Sequence, residues 1–350
     1  MIDLKLIVDK NISIRESIDR LVNGGKKTLF ILDSNNHLLG IFTNGDMRKI
    51  LLSSTDFSNP IESVMNKTPI VFKNKKDAIA FSKKQSLVAY PIVDNGILID
   101  ALFADDEAFN QDDNSVLENV PLVMMAGGKG TRLYPYTKIL PKALIPIGEY
   151  TIAERIIQSF TKYGCKDVYL ILNYKANMIK AYFNELNADY NVNYETESSF
   201  LGTGGGLYLV KNKIKSTFIV TNCDILVEDD LSCAYKTHKQ NSNKITMVCS
   251  SKNFQIPYGV IKSSKDGEIL GIEEKPQFNF LINTGVYILE PEVLDLLENN
   301  AVVSMPELAL KCKNNNMKVG IFPVSDKAWL DMGQFDTMNQ MLEHFGNSKL

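Results

Sequence analysis

A glycine-rich stretch in the middle of the chain has residues suited to binding phosphate. Residues 127–133 read GGKGTRL and directly follow the apolar run VPLVMMA of residues 120–126, which is typical of a buried strand. Glycine lacks a Cβ, so successive backbone N–H groups can converge on an anion. Two other phosphate loops do not fit, because a dinucleotide fingerprint needs glycine at Leu133 and a P-loop needs serine or threonine at Gly130.

Charged residues lie near this stretch and at the end of a second apolar run. Arg132 and Lys142 are cations of the kind that a polyphosphate requires. The run TFIVTNCD of residues 217–224 indicates a buried strand that ends in Asp224, at the edge where open parallel sheets bind ligands. An isolated aspartate at a strand end is more often a cap than a metal ligand. Cys223 could be a nucleophile, but no histidine is near it in sequence, which favours packing.

The longer string around the glycine-rich stretch resembles the signature of the sugar-1-phosphate nucleotidyltransferases. The matching residues are GGKGTRLYP at 127–135, Thr137, and PKALIPI at 141–147. The resemblance implies that Arg132 and Lys142 are catalytic cations beside a bound nucleoside triphosphate. The alternative, an ordinary strand-to-helix turn with surface cations, does not require two prolines and two cations at this spacing. The loop residues implied at the nucleotide are Ala126, Gly127, Gly128, Gly130 and Thr131.

A second glycine-rich loop matches the same family. Glu197 followed by LGTGGGL at 201–207 resembles the family loop that lies beside the nucleotide base. Gly204 and Gly206 replace the small side chains that are usual there, so the base pocket departs from the family pattern. The further nucleotide contacts implied by the resemblance are Glu197, Gly202, Thr203 and Asn222.

Metal and sugar-phosphate residues follow from further matches. Asp331, in WLDMGQ at 329–334, matches the second metal aspartate of the family, which pairs it with Asp224 and implies Mg²⁺ as the cofactor. Mg²⁺ prefers one or two carboxylates plus substrate phosphates. EEKP at 273–276 and NTGVY at 283–287 resemble the family's sugar-phosphate elements, although an EEK run is otherwise typical of a solvated face. They assign a catalytic role at the acceptor phosphate to Lys275, and sugar contacts to Glu274, Asn283 and Thr284.

The first 110 residues contain an internal repeat with an offset of about 61 positions. A helix, strand, strand order over residues 14–46 returns further along, with Glu16 echoed by Asp77 and Asp46 by Asp106. Two such half-units can bury their apolar faces against each other. The stretch resembles a tandem pair of CBS domains, and GIFTNGD at 40–46 resembles the nucleotide-binding turn of that family.

The CBS resemblance implies a regulatory adenine nucleotide held by Thr43 and Asp46. The second repeat departs from the pattern, because Phe103 stands where Thr43 stands in the first, so at most one such site is complete. The alternative is that the pair serves only dimerisation or packing and that Asp46 caps a helix beginning near Met47.

Composition excludes several classes of protein. The chain has 350 residues, 45% of them hydrophobic and 23% charged, which is ordinary for a globular protein and long enough for two domains. Its formal net charge of −3 and the absence of a basic half argue against a nucleic-acid partner. No apolar run approaches the roughly 20 residues of a membrane span and no signal pattern opens the chain, so we expect no membrane association and a cytoplasmic location. Five cysteines without C-x-x-C spacing and three scattered histidines favour neither zinc nor disulfides.

The predicted fold is α/β. We expect a tandem CBS pair over residues 1–110, an acidic linker over 111–119, and over 120–350 a Rossmann-like, GT-A-like nucleotidyltransferase domain whose mixed sheet has helices on both faces. We also expect a homo-oligomer.

The predicted reaction transfers a nucleotidyl group from a nucleoside triphosphate to a sugar-1-phosphate and releases pyrophosphate. No general base is needed, because a phosphate monoester with a second pKa of about 6 is mostly ionised at neutral pH. The order of the two domains and the sequence NYKA at 173–176 resemble those of the guanylyltransferases that make GDP-glucosamine for bacterial legionaminic acid synthesis. This resemblance implies GTP and glucosamine-1-phosphate as substrates. The alternative is a mannose-1-phosphate guanylyltransferase or another NDP-hexose pyrophosphorylase.

Two other classes of protein are less compatible with the residues. A glycosyltransferase usually carries Asp-x-Asp at the metal strand, whereas residues 222–224 read NCD. A non-catalytic nucleotide sensor should have lost a metal carboxylate or the sugar lysine, but Asp224, Asp331 and Lys275 are all present.

Overall fold

Two units with separate cores divide the chain into residues 1–112 and 113–350. The computed structural model describes residues 2–53, 55–82, 84–104 and 115–346. Part of the predicted linker at 111–119 lies outside these ranges. Its described part belongs to the second unit, because Leu117 is fully buried in that unit's core and its backbone N–H donates to the carbonyl of Tyr163.

The first unit contains a helix followed by two strands, twice over. β1 pairs with β2 in parallel and β2 with β3 antiparallel, whereas β4 and β5 form a second, antiparallel sheet. Asp106, the predicted counterpart of Asp46, lies outside the described residues. The elements are β1 (Ile7–Asp9), α1 (Ile14–Asn23), β2 (Thr28–Leu32), β3 (Leu38–Thr43), α2 (Asn44–Leu51), α3 (Lys75–Ser82), β4 (Ala89–Asp94) and β5 (Ile97–Phe103).

Thr43 and Asp46 form a capping box at the start of α2. The Asp46 backbone N–H donates to Thr43 Oγ1 at 3.3 Å, and the Thr43 backbone N–H and hydroxyl donate to Asp46 Oδ2 at 3.1 and 2.7 Å. The helix therefore begins at Asn44 rather than near Met47. Thr43 is the N-cap, and Asp46 in the first turn accepts the hydrogen bond from the N-cap backbone. Helix capping thus accounts for both residue types locally.

The second unit is built on a seven-stranded mixed sheet in the order β10-β9-β6-β11-β16-β13-β17. The first four strands are parallel, β16 runs antiparallel to both of its neighbours, and β17 is parallel to β13. The predicted mixed sheet is confirmed. The strands are β6 (Leu122–Met125), β7 (Pro146–Ile147), β8 (Tyr150–Thr151), β9 (Asp167–Leu172), β10 (Asn191–Thr196), β11 (Phe218–Asn222), β12 (Ile225–Val227), β13 (Ile245–Gln255), β14 (Val260–Ser263), β15 (Ile269–Glu273), β16 (Gln277–Leu289), β17 (Val319–Val324) and β18 (Trp329–Asp331).

Helices cover both faces of this sheet, as predicted. Alternate side chains of β6 enter two different cores, Leu122 and Met124 on one face and Val123 and Met125 on the other. α5, α6, α8 and α10 contribute to the first core and α9 to the second. Within the described ranges, no helix combines the length and apolarity needed to cross a membrane. The helices are α4 (Tyr136–Ile139), α5 (Ile152–Thr161), α6 (Ala176–Glu185), α7 (Gly202–Gly205), α8 (Leu231–Gln240), α9 (Met305–Asn314) and α10 (Phe335–Gly346).

A ribbon of strands extends from the sheet. Residues 251–255 of β13 pair with 277–281 of β16 beyond the end of β17, and β14 and β15 form a small antiparallel sheet of their own. Ile261, Leu270 and Ile272 on this small sheet are 60%, 68% and 65% exposed. The predicted sugar-phosphate residues Glu274 and Lys275 lie in the turn between β15 and β16, so they belong to the exposed ribbon rather than to the packed sheet.

Candidate active site

A partly buried ion pair lies where β11 leaves the sheet. Asp224 is in the turn between β11 and β12, and its carboxylate accepts a hydrogen bond from the Lys142 ammonium. Lys142 begins a short 3₁₀ helix after Pro141, and only 9% of its side chain is exposed. The structure therefore brings together two predicted site residues that are 82 positions apart in sequence.

Asp331 joins this pair through strand pairing. β18 runs antiparallel to β12 with Asp331 opposite Ile225, and the Met332 backbone N–H donates to the Asp224 carbonyl at 2.9 Å. Burial and the Asp224 carboxylate raise the pKa of Asp331, while the positive charges of Lys142 and Arg132 act in the opposite direction. We call Arg132, Lys142, Asp224 and Asp331 the charge cluster.

The donor chemistry of the charge cluster fits Mg²⁺. In the part of the chain that the structure describes, no group of three or more His, Cys, Asp or Glu side chains is placed to hold a metal ion. Asp224 and Asp331 offer only carboxylate oxygens, and the ammonium already bound to Asp224 shows that a cation is stabilised there. A hard cation held by two carboxylates and by substrate phosphate oxygens suits this set.

The first glycine-rich loop leaves room for a ligand and for a buried carboxylate. A Cβ at Gly128 would meet no atom within 4 Å, whereas a Cβ at Gly127 would lie 2.8 Å from Glu197 Oε2. At the far end of the loop, Gly130 has a φ of 62° and its carbonyl accepts a 2.7 Å hydrogen bond from the Thr137 hydroxyl. Thr131 and Arg132 follow on the exposed surface.

Glu197 is a buried acid that faces both glycine-rich loops. Its residue is 4% exposed, burial raises the pKa of its carboxyl, and Oε1 has no hydrogen-bond partner within the described residues. A Cβ at Gly206 would lie 2.5 Å from that oxygen, so glycine is needed there to admit the carboxylate. The departure from the family pattern at Gly206 therefore has a local cause.

The second loop is packed against the segment before α9. Thr203 Oγ1 accepts a hydrogen bond from the Met305 backbone N–H at 3.1 Å, and a Cβ at Gly202 would lie 2.6 Å from the Val303 carbonyl oxygen. The backbone N–H groups of Gly204 and Gly205 donate to the same carbonyl. These contacts fix the position of the loop, and the Thr203 oxygen already accepts one hydrogen bond.

The predicted sugar-side residues are spread over β16 and the ribbon. The Thr284 hydroxyl is buried and donates to the Val248 carbonyl at 2.8 Å, and the Asn283 amide donates to the Tyr287 hydroxyl at 2.6 Å. Thr284 is thus engaged within the sheet. Asn222, at the end of β11, lies against Gly285, whose Cβ would be 2.6 Å from Asn222 Nδ2.

The turn between β15 and β16 keeps Glu274 and Lys275 exposed. A Cβ at Gly259 would lie 2.9 Å from Glu274 Oε2, so this carboxylate faces across the ribbon. Lys275 adopts a left-handed backbone with a φ of 47°. Both residues are therefore more exposed than Lys142 and Asp224.

Asn173 and Cys223 lie next to the residues described above. Asn173 was not predicted as a site residue, but its side chain lies against Gly127 and its amide donates to the Glu197 carbonyl at 3.1 Å. Its place directly after the buried strand β9 is the signal that could have revealed it. Cys223 is buried, and burial raises the pKa of its thiol to about 12, which agrees with packing rather than nucleophilic chemistry.

The sequence of the second unit matches a known family. Residues 122–347 match the sequence pattern of the nucleotidyl transferase family. The match spans more than half of the chain, so the chain belongs to the nucleotidyl transferase family.

The chain is similar in sequence to individual curated proteins. The chain is 36% identical over 183 residues to the bifunctional protein GlmU of Methanococcus maripaludis, covering 51% of this chain and 42% of the relative. It is 30% identical over 222 residues to a mannose-1-phosphate guanyltransferase of Debaryomyces hansenii, covering 61% and 60%. The chain thus spans about half the length of the curated relatives that it matches.

A solved structure shares the fold. It is a Bacillus anthracis protein in complex with a sucrose, provisionally named a glucose-1-phosphate thymidylyltransferase. The superposition has a TM-score of 0.53 at 18% identity and covers 66% of this chain and 97% of that one.

Removal of one carboxylate from the charge cluster should weaken metal binding. We expect Asp224→Asn to reduce the affinity for Mg²⁺ in the presence of a nucleoside triphosphate by at least about tenfold, a difference of about 1.4 kcal/mol. In the wild type, affinity should fall on acidification at a higher pH than for an ordinary aspartate, because the raised pKa of Asp331 lets it take up a proton earlier. Calorimetric titration at pH 5.5 and 7.5 measures both effects. Asp266→Asn, in the exposed ribbon, is the control, and equal affinity in the two variants would exclude Asp224 as a ligand.

Proposed function

We propose that this chain transfers a guanylyl group from GTP to a sugar-1-phosphate, with glucosamine-1-phosphate as the acceptor, and releases pyrophosphate. The observation that carries the proposal is the charge cluster beside a glycine-rich loop that is open at Gly128. Two aspartates with two cations suit a reaction in which two anionic phosphates must be brought together. The product would be GDP-glucosamine, which similar enzymes make for bacterial legionaminic acid synthesis.

The reaction would be an in-line displacement at the α-phosphorus. An oxygen of the sugar phosphate forms the new bond to that phosphorus, and the bond to the bridging oxygen of the β-phosphate breaks, so pyrophosphate leaves with the electron pair. The attacking oxygen is already ionised, so no side chain has to remove a proton. The task of the protein is to position the two anions and offset their repulsion.

Each member of the charge cluster has a role in that task. Arg132, exposed after the loop, would bind the outer phosphates, and Lys142 would move its ammonium from Asp224 to the phosphate that is attacked. Asp224 and Asp331 would hold Mg²⁺, which when bound supplies charge neutralisation at the phosphate oxygens. Lys275 would bind the acceptor phosphate from the ribbon, and Glu274 and Asn283 would contact the sugar.

Glu197 supports guanine as the base. A buried carboxylate accepts hydrogen bonds and donates none, and guanine is the common base with two adjacent donors, N1–H and the 2-amino group, on one edge. Uracil and thymine present a single N–H between two carbonyl oxygens. These carbonyl oxygens would be repelled by the carboxylate, because both are hydrogen-bond acceptors. Oε1 of Glu197 is fully buried and has no hydrogen-bond partner among the described residues, so a guanine edge would satisfy it once the second glycine-rich loop moves to admit the base.

Mannose-1-phosphate is the second candidate acceptor. It is favoured by the likeness over 61% of this chain to a protein named a mannose-1-phosphate guanyltransferase. The two candidates share the nucleotide and differ in the sugar, so the acceptor assay separates them.

Pyrophosphate release across a grid of substrates tests the proposed function. We expect GTP with glucosamine-1-phosphate to give the highest kcat/KM among GTP, UTP, dTTP, CTP and ATP combined with glucosamine-, glucose-, mannose- and N-acetylglucosamine-1-phosphate. A site that hydrogen-bonds one base edge rejects others by orders of magnitude, because a mismatch leaves buried polar groups unpaired. Preference for UTP or dTTP would contradict the guanine proposal alone, whereas release with no pair would contradict the whole proposal.

Substitution of the buried acid should change the choice of base. Glu197→Gln replaces one acceptor by a donor, and an amide can pair with the N–H and carbonyl of uracil or thymine. We expect kcat/KM for GTP to fall at least about tenfold and the ratio of UTP or dTTP use to GTP use to rise. Glu195→Gln is the matched control, because Glu195 lies two residues earlier on β10 and pairs with Lys213. An unchanged base preference in Glu197→Gln would remove this residue from the base site.

We also propose that residues 1–110 form a CBS pair that binds an adenine nucleotide through Thr43 and Asp46. The repeated helix, strand, strand order and the position of Thr43 at a strand-to-helix turn support this. The capping box supports the alternative, in which both residues only stabilise α2. The proposal therefore depends on a direct binding measurement.

Calorimetric titration of the full chain with AMP, ADP, ATP and S-adenosylmethionine distinguishes these roles. We expect one of them to bind and to change the apparent affinity for the substrate nucleotide by about 5- to 150-fold, the usual range of allosteric coupling. Asp46→Ala should abolish binding, with Asp94→Ala, an exposed aspartate of the second repeat, as the control. If none of the four ligands binds to an active enzyme, the unit serves packing or dimerisation.

A further inference from the structure

The segment that carries the cations has little apolar anchorage. We call residues 131–141 the signature segment; it connects the glycine-rich loop to Lys142. Between residues 131 and 139, only Leu133 and Thr137 are buried. Segments with few buried contacts open at a low free-energy cost. Because Arg132 lies in this segment and Lys142 directly follows it, the contacts that fix its backbone control where both cations lie.

Tyr174 is the first of two residues after β9 that hold this backbone. Its backbone N–H donates to the Gly127 carbonyl at 3.3 Å, just before the signature segment, and its hydroxyl donates to the Thr137 carbonyl at 3.4 Å. Thr137 in turn donates to the Gly130 carbonyl. Tyr174 thus contacts the backbone on both sides of the exposed stretch.

Lys175 makes the charged contacts. Its ammonium donates to the carbonyl oxygens of Lys138 and Ile139, both at 2.5 Å. These carbonyls lie at the end of α4 and have no partner inside so short a helix. A lysine that donates to the last carbonyls of a helix stabilises that end. Hydrogen bonds from a charged donor are stronger than those between neutral groups, so Lys175 is the stronger of the two anchors.

The backbone conformation of Lys175 also indicates that its position is held by its surroundings. It has a φ of 53°, a left-handed conformation that a non-glycine residue adopts only at a cost in free energy and keeps only where its surroundings hold it. The preceding Asn173 donates to the Glu197 carbonyl. Residues 173–175 therefore connect the base side of the site to the signature segment.

We propose that Lys175, assisted by Tyr174, is a positioning residue that fixes the signature segment so that Arg132 and Lys142 meet the triphosphate. The proposal rests on the proposed function, since it names a residue that serves the nucleotide half of that reaction. In this role Lys175 acts through the backbone carbonyls of Lys138 and Ile139. Its loss should therefore affect the nucleotide and the rate, but not the binding of the sugar phosphate.

Three variants test this role by steady-state kinetics. Lys175→Met keeps the length of the side chain without the ammonium, Lys175→Arg restores donors, and Lys180→Met removes a lysine on α6 that donates to Thr196 instead. We expect Lys175→Met to raise KM for the nucleoside triphosphate about tenfold and to lower kcat by about 10- to 100-fold, because small displacements of catalytic groups have large effects. KM for the sugar phosphate should stay within about twofold. Lys175→Arg should recover most of the loss, and Lys180→Met should match the wild type.

Hydrogen–deuterium exchange gives a readout that needs no turnover. Lys175→Met should exchange faster over residues 131–141 but not over β9 or α6, and its melting temperature should stay within a few degrees of the wild type. Unchanged exchange in that segment, or equal increases in KM for both substrates, would overturn the proposal. Faster exchange throughout the second unit would do the same by showing a merely structural role. If the wild type releases no pyrophosphate but Lys175→Met still exchanges faster over residues 131–141, the proposed function is contradicted and the positioning role is not.

Discussion

The attraction between the Lys142 ammonium and the Asp224 carboxylate, with Asp331 close by, is the interaction on which the rest of the second unit depends. Charges that leave water lose hydration, and they are tolerated only when an opposite charge and further polar contacts replace it. Two carboxylates in one partly buried site repel each other, and burial together with the Asp224 carboxylate raises the pKa of Asp331. The positive charge of Lys142 offsets part of that repulsion.

This requirement explains several elements that would otherwise look minor. β12 and β18 form a two-stranded sheet whose register sets Asp331 opposite Ile225, next to Asp224. The 3₁₀ helix that starts at Lys142 fixes the lysine from a third direction. β6 and β11 are adjacent and parallel, so the glycine-rich loop and Asp224 leave the sheet at the same edge. Short elements therefore do the positioning, and the large sheet holds them in place.

Sequence reasoning succeeded where the signal is local. The apolar run before the glycine-rich stretch predicted β6, because strand periodicity and loop glycines are readable over a few residues. The members of the charge cluster were implied by the resemblance to the nucleotidyltransferase signature, not by the strand pattern. Sequence reasoning failed where the partner is distant in sequence. Thr203 contacts Met305, and Lys175 contacts Lys138 from 37 positions away. Neither contact leaves a pattern in the sequence. The start of α2 was misplaced by a few residues because Thr43 and Asp46 are both good capping residues, and only the hydrogen bonds decide which of them is the N-cap.

The sheet also places the residues beside the charge cluster and those beside Gly206 in two different cores. Residues next to Lys142, Asp224 and Asp331 along the chain, such as Leu144, Cys223 and Met332, belong to one core. Gly206, which admits the Glu197 carboxylate, packs against Met125 and Ile171 of the core on the opposite face. Substitutions in distant, separately packed regions have nearly additive effects. Repacking around Gly206 on one face can therefore change the surroundings of Glu197 while the core beside the charge cluster is kept, a modularity that follows from having two cores on one sheet.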